Sequence, residues 1–165
     1  MPRKHSLLHP LVAFIVVAAL FGCQPGRGPF AQIQVCLGGS GEVPNFKLLL
    51  QSIAAERDLK YIDASVETMR GLQEIGATGE NMHASGELIH LGLEGENGQL
   101  IAGNMGLNLY EVGIGFGHEP NPKSAQAFVE LVTSRLKQHW RVKSVPSGRG
   151  MLPDPSCASV GQGQK

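Results

Sequence analysis

The sequence is short of aromatic residues and has no net charge. Phe, Trp and Tyr together make up 5% of its 165 residues, and charged residues make up 17%. Fourteen basic residues balance fourteen acidic ones, so the formal net charge at pH 7 is zero. Without an excess of positive charge, the chain is not expected to bind nucleic acid or another polyanion over a broad surface.

No apolar run is long enough to cross a bilayer as a helix, which needs about 20 residues. The longest run, LVAFIVVAALF, covers residues 11–21. It comes after Arg3 and Lys4, and the small residue Gly22 and then Cys23 follow it. Basic residues, a short apolar stretch and a small residue before a cleavage site are the features of an export signal peptide.

The four residues Leu20 to Cys23 resemble the lipobox of bacterial lipoproteins. The resemblance covers residues 1–23, and it implies that residues 1–22 are removed and that Cys23 carries acyl chains such as palmitate. Two or three chains, at about 0.8 kcal/mol per buried CH2, suffice for stable anchoring in a lipid bilayer. Gln24 is not the Asp that resembles an inner-membrane retention signal, so the expected place is the periplasmic side of the outer membrane. A secretory peptide with an incidental cysteine and an uncleaved anchor are the alternatives.

After such a cut about 143 residues remain, enough for one domain with a modest core. Loss of Arg3 and Lys4 leaves 12 basic against 14 acidic residues, which gives a net charge near −2. We expect a tether over residues 23–29, a single domain over residues 30–157 and a flexible tail over residues 158–165. The tether contains QPGRGP, a sequence rich in Pro and Gly.

Three cysteines are present. Once Cys23 is assigned to lipid, Cys36 and Cys157 form an even pair in an oxidising compartment. We therefore predict a disulfide between them, which would constrain the unfolded chain by a few kcal/mol. Two unrelated free thiols are the alternative.

Hydrophobic periodicity divides the domain into alternating strands and helices. The predicted strands lie near residues 30–37, 61–64 and 142–145. The first two predicted helices are residues 44–57 and a short segment from Ser65 onward, and residues 76–86 form a loop. A third helix begins at Pro122 with Asn121 as its cap and extends to about Arg141.

The strongest local signal is Asn97-Gly98 between two apolar runs. It predicts a hairpin with sides 87–95 and 99–105, because this pair accepts the positive φ angles of a type I′ turn. Beyond it, alternation predicts a strand that ends at Phe116, and Gly106 marks a bulge or a break before it. These elements predict an α+β two-layer sandwich, with two main helices on one face of a mostly antiparallel sheet. Their order is also similar to a ferredoxin-like layout with an inserted helix.

The turn GGSG, residues 38–41, lies between a predicted strand and a predicted helix, where backbone N–H groups can bind an anion. A nucleophile elbow around Ser40 would need Gly in place of Glu42. A dinucleotide fingerprint would need Gly or Ala in place of Pro44, and a P-loop would need a Lys-Ser or Lys-Thr pair. We therefore expect a plain turn.

The candidate metal ligands are His83, His90 and His118. They fall in an acidic stretch that has no Lys or Arg from Gly71 to Pro122. Their spacing matches neither HExxH nor a Cys/His finger, so we expect surface histidines and neither a metal nor a cofactor.

Two further features have a structural and a functional interpretation. The glycines of GIGFGHE, residues 113–119, either let the helices pack closely or let another backbone or a sugar ring approach, and we expect the first. Trp140, next to Arg141 and close to Lys143, either belongs to the core or contacts phospholipid or a partner, and we expect core.

No pair of carboxylates or other titratable residues stands out as a general acid and base. We therefore expect a non-enzymatic domain that binds a protein or another envelope component. The alternative is a small-ligand or metal-binding periplasmic domain that uses the glycine-rich end of the sheet with His90 or His118. A hydrolase with an unrecognised site is the third interpretation.

Overall fold

The computed structural model describes residues 29–76, 88–104, 110–118, 121–146 and Cys157. These residues form three helices, namely α1 (Glu42–Glu56), α2 (Ser65–Glu74) and α3 (Pro122–Lys137). They also form six strands, namely β1 (Ala31–Cys36), β2 (Lys60–Asp63), β3 (His90–Gly95), β4 (Gly98–Gly103), β5 (Glu111–Phe116) and β6 (Arg141–Val145). The predicted loop at 76–86 and the bulge at Gly106 fall almost entirely outside the described residues.

The six strands make one antiparallel sheet in the order β2-β3-β4-β5-β1-β6. The first strand of the domain therefore lies between β5 and β6, which come late in the chain. Helices and an antiparallel sheet in two layers confirm the predicted α+β sandwich.

The core lies between one face of the sheet, called the inner face, and helices α1 and α3. The strands contribute alternate residues, and one buried row across the sheet is Leu91, Ala102, Ile114 and Ile33. The helices contribute residues three or four positions apart, which are Phe46, Leu50 and Ile53 from α1 and Phe128, Val132 and Leu136 from α3. The alternate residues of the strands and the residues three or four positions apart in the helices thus pack together in one cluster.

The ferredoxin-like layout describes only part of the sheet. The connection from β5 through α3 to β6 passes around β1, as in a split βαβ unit. Strands β2 and β3 extend the sheet by two strands beyond β4, so the comparison with that layout stays an expectation about four of the six strands.

Helix α3 begins as predicted and ends earlier. The Asn121 side chain accepts a hydrogen bond from the Lys123 N–H at 3.0 Å, and Pro122 occupies the first helical position. The helix stops at Lys137 rather than near Arg141, because Arg141 is the first residue of β6 and pairs with Cys36. The apolar stripe in the sequence does not reveal where the helix ends, because the side chain of Trp140, which follows the helix, still packs against the core.

The predicted hairpin is present, but its turn lies one residue earlier. Gly95 and Gly98 face each other in the ladder, and Glu96 and Asn97 form the loop. Neither loop residue nor Gly98 has a positive φ, so the argument from a type I′ turn was wrong. Gly98 is needed for a different reason: a Cβ atom there would lie 2.8 Å from the ring of Phe128.

Gly98→Ala tests this contact. We expect a loss of about 1–3 kcal/mol in the free energy of unfolding, because the new methyl group would displace Phe128 from the core. Urea unfolding measures the change. Gly71→Ala is the matched control: it lies within α2, a Cβ there meets nothing within 4 Å, and we expect a gain of up to about 1 kcal/mol. Equal effects of the two substitutions would contradict the packing argument.

Candidate functional site

The two cysteines predicted to pair form a disulfide. Cys36 at the end of β1 and Cys157 are 121 residues apart in sequence, and their Cα atoms are 5.3 Å apart. Both cysteines are buried. The bond attaches the chain after β6 to the outer face of the sheet, which is the face opposite α1 and α3 and carries Gln34 and Cys36.

A buried polar cluster surrounds the disulfide on this outer face. Gln34 Nε2 donates a hydrogen bond to Glu111 Oε1 at 2.8 Å, and both side chains are buried. Arg141 Nη2 lies 3.4 Å from Cys36 Sγ. Burying a carboxylate is costly unless hydrogen bonds accompany it, so these contacts are part of what holds the cluster together. Sequence reasoning missed Glu111, because strand alternation assigned it to the side away from the core.

The outer face also carries a group of glycines. Gly92 on β3, Gly103 on β4, and Gly113 and Gly115 on β5 lie on this face, with Ile101 among them at 57% exposure. The expectation that the glycines of residues 113–119 face the helices was therefore wrong for Gly113 and Gly115. At Gly115 the close neighbour is the chain itself, since a Cβ atom there would lie 3.5 Å from Pro29.

The structure does not bring the described histidines together. His90 begins β3 and is exposed, with its Nδ1 2.6 Å from Thr68 Oγ1 of α2. His118 is exposed beyond the far end of β5, where its ring lies 5.9 Å from that of Phe30. Over the described ranges, no three His, Cys, Asp or Glu side chains are close enough to hold a metal ion. His83 lies outside those ranges.

At the GGSG turn, Glu42 occupies the first position of α1 and its carboxylate accepts a hydrogen bond from Trp140 Nε1 at 3.1 Å. The carboxylate therefore puts a negative charge in the first turn of α1, which disfavours a bound anion there. The Trp140 ring packs edge-on against Phe46 with 5.8 Å between ring centroids, which agrees with the expected core role.

One acidic residue links β2 to two helices. Asp63 forms an ion pair with Lys47 of α1 at 2.8 Å, and it accepts a hydrogen bond from the Ser65 N–H at 3.0 Å. Burial alone would raise the pKa of Asp63, but the hydrogen bonds from Lys47 and Ser65 and the charge of Lys47 lower it below its ordinary value. Burial and the Asp63 carboxylate raise the pKa of the neighbouring Tyr61 to about 12. The Lys47–Asp63 ion pair supports β2. With these pKa values, Asp63 and Tyr61 are unsuited to proton transfer at neutral pH.

An open groove with polar and apolar walls, here called the α3 groove, lies between α3 and the strands β1 and β6. Its volume is about 630 Å³, and it is lined by Phe30–Ile33, by Gln126, Val129, Glu130, Thr133, Ser134 and Lys137 of α3, and by Ser144 and Val145. No sequence motif predicts this groove, because its lining residues belong to three separate segments.

Comparison of the chain with protein-family models, with curated proteins and with solved structures found no match.

The disulfide leads to one expected outcome. Cys157→Ala should lower the free energy of unfolding by about 2–5 kcal/mol, because the long loop is no longer closed in the unfolded chain. Urea unfolding measures the loss, and thiol titration should find one reactive thiol in the unfolded variant and none in the wild type with lipidated Cys23. Two free thiols in the native wild type would contradict the bond.

The lowered pKa of Asp63 leads to a second expected outcome, which concerns the pH dependence of stability. Asp63→Asn should lower the free energy of unfolding at pH 7 by up to about 1 kcal/mol, a small amount because the ion pair is partly exposed. A carboxylate with a lowered folded pKa stabilises the fold above its unfolded pKa of about 3.9 and loses this effect as the pH falls through the folded value. The difference between wild type and variant should therefore shrink below about pH 4. A difference that stays constant down to pH 2 would contradict this assignment.

Proposed function

We propose that this chain is a lipid-anchored protein of the bacterial envelope, whose folded domain binds a protein partner and does not catalyse a reaction. The observation that carries the proposal is the lipobox-like sequence ending at Cys23. The pairing of Cys36 with Cys157 supports it, because the other two cysteines of the chain are then accounted for.

The disulfide also supports export. Disulfides persist in oxidising compartments such as the periplasm and are rare in the cytosol. No helix within the described ranges is long and apolar enough to cross a membrane. We propose that attachment depends on the acylated Cys23, with the domain on the periplasmic side of the outer membrane, since Gln24 replaces the Asp of the retention signal.

The tether restricts where the domain can act. From Cys23 to Phe30 there are seven residue steps, and a fully extended chain spans at most about 25 Å over that distance. The domain would therefore meet its partner close to the membrane surface. A binding role is favoured over catalysis because the buried carboxylate of Glu111 is held by Gln34 beside the disulfide, which suits a structural cluster.

Cys23→Ser tests the anchor. The variant should be recovered in the soluble fraction after cell lysis and high-salt washing, because the acyl chains are missing, whereas the wild type should remain with the membranes. Cys157→Ala is the matched control, since it also removes a cysteine and should stay membrane-bound. If Cys23→Ser still sediments with the membranes, the chain is not anchored through this residue.

A further inference from the structure

We propose that the outer face of the sheet lies on the surface of the lipid bilayer, with the side chain of Ile101 inserted among the lipid headgroups. This inference rests on the proposed anchor at Cys23 and adds a second contact with the same bilayer. The layer formed by α1 and α3, on the other face of the sheet, then points away from the membrane.

One row of residues crosses the outer face without a charged side chain. Direct partners in an antiparallel ladder point to the same face, so the pairing aligns one residue from each strand. This row, here called the Ile101 row, consists of Ile62, Gly92, Ile101, Gly115, Gln32 and Val145. Ile101 is 57% exposed, and the glycines on both sides of it have no side chains. Its side chain therefore projects from the sheet.

Charged side chains of the outer face flank the row and do not interrupt it. On one side, Lys60 and Glu94 lie opposite each other in the ladder, and both are exposed. On the other side, two residues from the row, are His90 of β3 and Lys143 of β6, which are also exposed. An apolar strip between polar margins suits the interface between acyl chains and water.

The part of the outer face near the disulfide is less accessible than the Ile101 row. Along β5, the outward residues Glu111 and Gly113 are buried, whereas Gly115 is partly exposed. The disulfide is attached at Cys36, which pairs with Glu111 and lies four residues along β1 from the row. At about 3.3 Å per residue, this separation is about 13 Å. Among the outward residues of β4 and β5, the exposed surface is therefore centred on Ile101.

The place where the chain enters the domain favours the bilayer as the partner. Pro29 lies against Gly115, which is the ladder partner of Ile101. Cys23 is six residue steps before Pro29, and a fully extended chain spans at most about 22 Å over that distance. Ladder partners add about 5 Å, so acyl chains on Cys23 would hold the row within about 27 Å of their own attachment point.

The anchor makes a small apolar contact sufficient. Membrane binding by a surface scales with the apolar area that it buries, and one exposed isoleucine is a small area. Once the acyl chains are in the bilayer, however, contact of the Ile101 row with the same bilayer is intramolecular, which raises its effective concentration. The row is therefore expected to orient an anchored domain, and it is not expected to recruit an unanchored one.

Fluorescence quenching with the lipidated full chain tests this orientation. Ile101→Cys supplies a single free thiol for the dye nitrobenzoxadiazole, because Cys23 is acylated and Cys36 is bonded to Cys157. The labelled protein is reconstituted into vesicles of phosphatidylethanolamine and phosphatidylglycerol, with or without a lipid that carries a nitroxide near its headgroup. We expect the nitroxide to quench this label at least about threefold more strongly than a label at Leu48→Cys. Leu48 is the matched control, since it is 61% exposed on α1, on the opposite side of the molecule.

A label at a second position separates the native side chain from the affinity of the dye. The label is placed at Ile62→Cys, a partly exposed position in the same row, and should also be quenched. Adding Ile101→Glu should reduce this quenching at least about threefold, because a carboxylate replaces the inserted side chain. Adding Leu48→Glu should leave it unchanged.

Three outcomes would overturn the proposal while leaving the anchor in place. They are equal quenching of the labels at Ile101 and Leu48, no effect of Ile101→Glu on the label at Ile62, and a wild-type dimer that Ile101→Glu converts to a monomer. In the last case a second copy of the chain would cover the row. Flotation of the unlabelled wild type with the vesicles reports on the anchor separately. If the wild type does not float, the anchor at Cys23 is wrong and this proposal fails with it.

Discussion

The long-range structure depends on the insertion of β1 between β5 and β6. β1 is the first strand of the domain, yet its partners come from the far end of the chain, as in contacts that span 77 residues to Glu111 and 105 residues to Arg141. Pairing between strands so far apart in sequence has an entropic cost, because the chain between them must close into a loop before any hydrogen bonds form. The disulfide joins β1 to an even later segment, so its entropic effect on the unfolded chain adds to the same closure.

Local sequence patterns were sufficient to predict the helices and strands, because each pattern arises from the one face of an element that is buried. Phe46, Leu50 and Ile53 recur with the period of a helix, and all three are in the core. Asn121 and Pro122 identify the start of α3 because capping depends on neighbouring residues alone. The sandwich follows from these faces, since each must be covered by another element.

The errors have a common origin in contacts between distant segments. Gly98 looked like a turn residue, but the ring of Phe128, 30 positions later, excludes a side chain there. Glu111 looked solvent-exposed, but Gln34 and the disulfide region bury it. The α3 groove was not predictable, because β1, α3 and β6 form it together and none of them carries a recognisable motif.

The two faces of the sheet make different kinds of contact, since the inner face packs against α1 and α3 and the outer face holds distant parts of the chain. On the outer face, Gly115 allows Pro29 to approach, and the disulfide fixes Cys157 beside a buried polar cluster. These contacts hold the start and the late part of the domain to the same sheet.

This division bears on which parts of the domain a preceding segment of the chain would act on. Because Pro29 is held against Gly115, force transmitted through a tether would act on the outer face and on β5. The wall of the α3 groove that α3 forms is supported on the inner side by the packing of Phe128 and Val132 into the core. The shape of this wall is therefore set by core packing.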